Sequence, residues 1–215
     1  RELLSELPFE GRKRVGRLLA DVGQVMALNL DRPLPRTAYG EGVLGGYRWY
    51  EARHLPVRFP FGHGGSYTTF RLDAPELSAT TFTPGERLAV RVSVTNTGDR
   101  RGAEVVQCYV APPAPRLVRP PKELAGFGKA WLDPGETATV TIELDERAFA
   151  YWDPGLPERA ELAARASAVP MAGGRGDGRP PGWRVDPGRY ELHVGTSSGA
   201  IAHIAAIEVT ASAGA

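Results

Sequence analysis

In three separate segments between Arg87 and Val194 the apolar residues fall on every second position, and that period decides most of what this chain can become. In "RLAVRVSVTNTG" Leu88, Val90, Val92 and Val94 alternate with Arg87, Arg91, Ser93 and Thr95. In "TATVTIELD" Ala138, Val140, Ile142 and Leu144 oppose Thr137, Thr139, Thr141 and Glu143, and in "RYELHVG" Tyr190, Leu192 and Val194 oppose Glu191 and His193. Successive side chains of a strand point to opposite faces, so each segment offers one dry face and one wet face. Such strands belong to antiparallel sheets that bury one side against a second layer. Turn signals punctuate them: Pro84-Gly85, Asn96-Thr97-Gly98-Asp99, Asp133-Pro134-Gly135 and Asp186-Pro187-Gly188. Proline presets the first corner of a turn and glycine accepts the positive φ of the next. Short alternating strands with this punctuation predict a β-sandwich.

The flanks follow other rules. From Val15, the residues Leu18, Leu19, Val22, Val25 and Met26 form the stripe of an amphipathic helix, so residues 1–30 read as a helical segment. Its basic run, Arg12, Lys13, Arg14 and Arg17, could meet phosphate but reads first as a solvated face. Pro33 and Pro35 end the helical pattern, and residues 31–70 read as an extended linker broken by proline and glycine. The sandwich then occupies 71–215, with an Ala-, Gly-, Arg- and Pro-rich insertion at 154–182. The first half of that insertion is compatible with a helical turn, and the second has the composition of disordered chain.

Composition narrows the function classes. A net charge of +1 over 215 residues gives no field for nucleic acid or an anionic membrane. No apolar stretch approaches the roughly 20 residues a membrane-spanning helix needs. The single cysteine, Cys108 in "AEVVQCYVA", reads as a buried strand thiol and leaves the compartment open. Gly40, Gly42 and Gly45 match the G-x-G-x-x-G spacing of a dinucleotide loop. Their context does not match: prolines precede them, no helical register follows, and Glu51 is far too near to be the ribose-binding acid. No cofactor is expected, and no ligand spacing points to a metal.

"YGEGVLGGYRWY" followed by "LPVRFPFGHGGSYTTF", then "VSVTNTGDRRGAEVVQCYV", "RPPKELAGFGKAWLDPGETATVTIEL", "AFAYWD" and "WRVDPGRYELHVGTSS" form an ordered series. The series resembles the C-terminal region of glycoside hydrolase family 3, the β-glucosidases and β-xylosidases. The resemblance runs from about residue 39 to 210, apart from the insertion. It implies a mainly β fold: a fibronectin type III-like (immunoglobulin-like) antiparallel β-sandwich, here preceded by an N-terminal helix and an extended aromatic linker. It differs from the family at Gly65, where a leucine is usual; if that position were buried, the missing apolar area would be worth about 2 kcal/mol. Residues 1–30 do not resemble the segment expected before the linker, so the chain reads as a fragment of a longer or rearranged enzyme.

Members of that family hydrolyse β-linked sugars with retention, using two carboxyl groups about 5 to 5.5 Å apart. The resemblance places the nucleophilic aspartate on a barrel domain and the acid/base glutamate on a following α/β domain, both upstream of the matched region. No Ser-Asp-Trp-like nucleophile motif occurs here, so no catalytic residue is assigned. Glu41, Glu51, Glu104 and Glu123 are candidates by residue type alone, and each reads as solvated or ion-paired, with Arg48 expected to pair with Glu41 or Glu51. His63 in "FPFGHGGSY" lacks the frame of a nucleophile elbow and reads as a histidine bonding a nearby carbonyl. Arg175-Gly176-Asp177 spells an adhesive tripeptide in a segment whose composition makes chance the leading explanation. Tyr39, Tyr47, Trp49 and Tyr50, continued by Phe59, Phe61, Tyr67 and Phe70, are expected to press the linker against neighbouring domains. The resulting reading is an accessory portion of a glycosidase that stabilises or orients catalytic domains carried elsewhere. The alternative is an independent carbohydrate-binding module stacking sugars on Trp131, Trp152 or Trp183.

Overall fold

A computed structural model describes residues 42–113, 115–155 and 180–211. The helix expected near Val15–Met26, the basic run, Tyr39, Glu41, Arg175-Gly176-Asp177 and most of the 154–182 insertion lie outside the described residues. The strands, in chain order, are β1 (Phe70–Leu72), β2 (Glu76–Leu77), β3 (Thr81–Phe82), β4 (Leu88–Asn96), β5 (Gly102–Ala111), β6 (Glu123–Leu132), β7 (Thr137–Leu144), β8 (Tyr151–Asp153), β9 (Gly182–Arg184), β10 (Gly188–Ser197) and β11 (Ala200–Val209). One sheet centres on β4, which pairs with β7 along one edge and with β1 and β2 along the other. The second sheet runs β3-β11-β10-β5-β6. All pairings are antiparallel except β3 on β11. The first strand segment therefore changes sheets between Leu77 and Thr81, which closes the sandwich along one side.

The period-two faces meet where expected. Val90, Val92 and Val94 of β4 and Val140, Ile142 and Leu144 of β7 face Val106, Cys108 and Val110 of β5, Leu192 and Val194 of β10, and Ile207 and Val209 of β11 in one core. Each such side chain contributes about 1.5–3 kcal/mol when fully buried. Phe82, Phe149 and Tyr190 fill one end of that core, with ring centroids 4.5 and 5.5 Å apart. The layers approach closely where β6 faces β7. A Cβ on Gly126 or Gly128 would lie 2.5 Å from Ile142 or 2.4 Å from Val140, so only glycine fits there.

Two departures from local expectation concern the strand β5 and the linker. Residues Val106 to Val110 are buried on both faces, although a sandwich strand ordinarily keeps one face wet. The linker is also not wholly extended: Tyr47–Ala52 form a short helix, α1, entered through Gly46 at φ 61. No residue of α1 is buried, so no amphipathic stripe marks it in the sequence. Both departures have one cause, described next.

Candidate functional site

The linker lies across the outer face of the second sheet. Gln107 points outward from β5 and is only 4% exposed, because its Nε2 donates to the carbonyls of Gly62 in the linker (3.0 Å) and Thr196 on β10 (2.6 Å). Its Oε1 accepts the hydroxyl of Tyr109 at 2.5 Å. Gly62 has φ 79, and a Cβ there would lie 2.1 Å from the Gln107 amide, so glycine is required on both counts. The Ser198 N–H donates to Phe61 O at 2.8 Å. The buried Tyr109 ring is covered edge-on by Tyr47 (6.2 Å), which stacks on Phe61 at 4.5 Å and 13°. The Tyr47 hydroxyl accepts the N–H of Leu124 at 2.9 Å.

Ion pairs hold α1 from the side. Arg48 pairs with Glu123 at 3.0 Å, Glu123 also with Arg119 at 3.6 Å, and Lys122 with Glu51 at 2.9 Å. Of the two expected partners of Arg48, Glu51 is therefore corrected, and Glu41 lies outside the described residues. Arg48 and Glu51 project from one helix toward Lys122 and Glu123, and each finds the opposite charge there rather than on its own element. At the other end of the linker the hydroxyl of Thr68 donates to Asn96 Oδ1 at 2.7 Å. The fully buried Asn96 also donates to the carbonyls of Arg100 (2.7 Å) and Leu132 (3.0 Å).

While its inner side is fixed, the outer side of the linker stays bare. Val43, Tyr50, Leu55, Val57, Phe59, Phe61 and Tyr67 are all exposed large apolar residues. They border a hollow of about 530 Å³ whose lining includes Tyr50, Glu51, Leu55, Val57, Phe59 and Phe61. Phe70 packs against the core instead, and Leu44, which the sequence reading passed over, is buried. Trp49 carries the Arg53 guanidinium 4.4 Å from its ring centroid. Gly65 faces open space, so the leucine usual in the family would replace no packing within the described residues.

The residues weighed for chemistry are accounted for as follows. Glu51 and Glu123 are neutralised by the cations above, and Val105 N–H donates to Glu104 Oε1 at 2.9 Å. Burial raises the Glu104 pKa against the lowering effect of that bond. The His63 ring stacks on Phe59 at 5.3 Å, and it is the main-chain N–H of His63, not the ring, that donates to a carbonyl, that of Pro60. Cys108 is buried and its thiol is pushed up to about 12 by desolvation, which removes it as a nucleophile near neutral pH. No group of three or more His, Cys, Asp or Glu that could hold a metal occurs among the described residues. Trp131, Trp152 and Trp183 are all more than half exposed, so none of the three is a core tryptophan.

Comparison with known proteins now adds the family context. The family model for a fibronectin type III-like domain matches residues 104–165. An exo-α-(1→6)-L-arabinopyranosidase of Bifidobacterium longum is 40% identical over 169 residues, which is 79% of this chain and 19% of the relative. A probable β-glucosidase H of Emericella nidulans is 41% identical over 164 residues, or 76% of this chain and 17% of the relative. Among solved structures, the Bifidobacterium adolescentis GH3 β-glucosidase aligns with a TM-score of 0.63 at 39% identity, covering 80% of this chain and 21% of that one. The chain thus spans about a fifth of the length of the proteins it matches.

Proposed function

This chain belongs to glycoside hydrolase family 3, as its C-terminal fibronectin type III-like accessory region, and from that premise we propose that it is non-catalytic and orients the catalytic domains of the enzyme. The observation that carries the proposal is the two-sided linker. One side is fixed to the sandwich by Gln107, Tyr47, the Arg48–Glu123 pair and the Lys122–Glu51 pair. The other presents seven exposed large apolar residues between Val43 and Tyr67. A monomeric protein rarely leaves such a patch uncovered. In this reading the patch packs against the catalytic portion, and the rigid inner side converts that contact into a fixed domain orientation. The two carboxyl groups of a retaining glycosidase then lie in the four-fifths of the enzyme that the matched region does not cover. The sugar removed by the whole enzyme follows from those domains, and the relatives include both a β-glucosidase and an arabinopyranosidase.

The test grafts this chain in place of the matching region of the Bifidobacterium adolescentis enzyme. The isolated chain is expected not to hydrolyse an aryl β-glucoside, and the hybrid is expected to do so. Leu55→Asp with Phe59→Asp in the hybrid is expected to lower its thermal midpoint while leaving the midpoint of the isolated chain unchanged. Hydrolysis by the isolated chain, or a hybrid indifferent to the two aspartates, contradicts the proposal.

A further inference from the structure

A second surface, apart from the linker, has a different chemistry. Strands β8 and β9 form a two-stranded hairpin in which Trp152 and Trp183 stand directly opposite one another. Their ring centroids are 5.7 Å apart and their planes meet at 72°, so the two rings form the floor and wall of a corner. Both are about half exposed. The guanidinium of Arg147 lies 3.5 Å from the Trp183 centroid, stacked on one face of that ring.

The rings are held from beneath. Next to Trp152 in β8, on the opposite face, Asp153 is 1% exposed and accepts from Arg116, from the Gly155 N–H at 2.9 Å and faces Arg184 Nε of β9 at 3.4 Å. Tyr151, also turned inward, accepts from Arg116 at 3.2 Å and donates to Asp186 at 3.1 Å. An isolated two-stranded hairpin is marginal in water. This buried polar network fixes it to the sandwich and orders the tryptophans before any ligand arrives, which lowers the ordering cost of binding.

From this arrangement we infer that the Trp152–Trp183 corner with Arg147 is a binding site for a pyranose ring of an oligosaccharide. Two features select that ligand. The apolar area is two rings meeting at a corner, which suits one six-membered ring with a C–H face and falls far short of the roughly 800 Å² per partner of a stable protein interface. The Arg147 guanidinium, stacked on Trp183, carries N–H donors that the hydroxyls of a bound sugar can accept. The structure also separates the tryptophans: among the described residues Trp131 on β6 has no second ring packed against it, so it offers a single ring rather than a corner. The site serves as a hold on substrate outside the catalytic domains and does not depend on how the linker docks.

The test titrates the full 215-residue chain with cellotriose and with xylotriose while following the indole N–H resonances of its four tryptophans. At millimolar sugar, the resonances of Trp152 and Trp183 are expected to move and saturate together, with those of Trp49 and Trp131 stationary. Trp183→Ala is expected to weaken binding by about tenfold and Trp131→Ala to leave it unchanged. Circular dichroism confirms that each variant is folded. Should Trp183→Ala fail to fold, Arg147→Ala at its exposed position carries the same test, with binding expected to weaken by at least about threefold. Stationary Trp152 and Trp183 resonances with both sugars overturn the inference. So does movement confined to Trp131, or unchanged binding by the folded Trp183 or Arg147 variant.

Discussion

Replacing Gln107 by leucine removes the link between sandwich and linker without changing the size of the side chain greatly. Three hydrogen bonds are lost: to Gly62 O, to Thr196 O and from the Tyr109 hydroxyl. A net value near 1 kcal/mol for each gives about 3 kcal/mol. Stranding the hydroxyl of the fully buried Tyr109 adds about 1–3 kcal/mol, and the apolar leucine returns about 1–2 kcal/mol of burial. The expected loss is therefore about 3 kcal/mol, or roughly 6–12 °C in midpoint for a chain of this size. Urea denaturation of the isolated chain measures it. Tyr109→Phe supplies a cycle, because the double variant removes the stranded hydroxyl together with its partner. A coupling of at least about 1 kcal/mol is expected. Hydrogen exchange at Ser198, whose N–H bonds Phe61 O, reports the linker directly and is expected to accelerate. A loss below about 1 kcal/mol with unchanged exchange at Ser198 would show that the Gln107 bonds contribute nothing to holding the linker beyond Tyr47 and the ion pairs.

Two further changes probe the sandwich itself. Gly128→Val drives a side chain into the 2.4 Å space beside Val140 and is expected to destabilise by about 3 kcal/mol in a denaturant titration; an unchanged midpoint would show that the sheets can part there. Asp153→Asn is expected to cost about 3 kcal/mol at pH 7, because Arg116 and Arg184 lose their common anion. Burial works against the charge of Asp153, but the Gly155 N–H, Arg116 and Arg184 outweigh it and hold its pKa below the ordinary value. Its contribution is therefore complete above the unfolded pKa of about 3.9 and fades as pH falls through the lower folded value. Stability measured from neutral to acid pH should show the gap between wild type and Asp153→Asn narrowing below about pH 4, and a pH-independent gap would contradict the assignment.

The parts of the fold legible in the sequence are those buried on one side only. β4, β7 and β10 keep a wet face, so the alternation of Val90, Val92 and Val94, or of Val140, Ile142 and Leu144, announces both strand and orientation. β5 hides its orientation because Gln107 and Tyr109 are covered by the linker, which turns an alternating strand into an apolar run. α1 escaped the reading because its support comes from Lys122, Glu123 and Leu124, far along the chain, and local periodicity carries no trace of such contacts. The resemblance indicated that the linker is a contact segment and that tryptophans could meet sugar. Which of its faces is fixed, and which tryptophans form a corner, depended on register: Trp152 and Trp183 become neighbours only because β8 and β9 pair across the insertion. His203, which bonds Leu72 O at 2.9 Å across the two sheets, had no sequence signature at all.

The bare side of the linker is proposed to be an interdomain contact. Hydrogen exchange over Val43–Tyr67 tests it most directly, comparing the isolated chain with the same chain joined to the catalytic portion of the Bifidobacterium adolescentis enzyme. Slower exchange at Leu55, Val57, Phe59 and Phe61 in the joined protein, with Val90 to Val94 unchanged, is the predicted result. Identical exchange of the linker in both forms would contradict it.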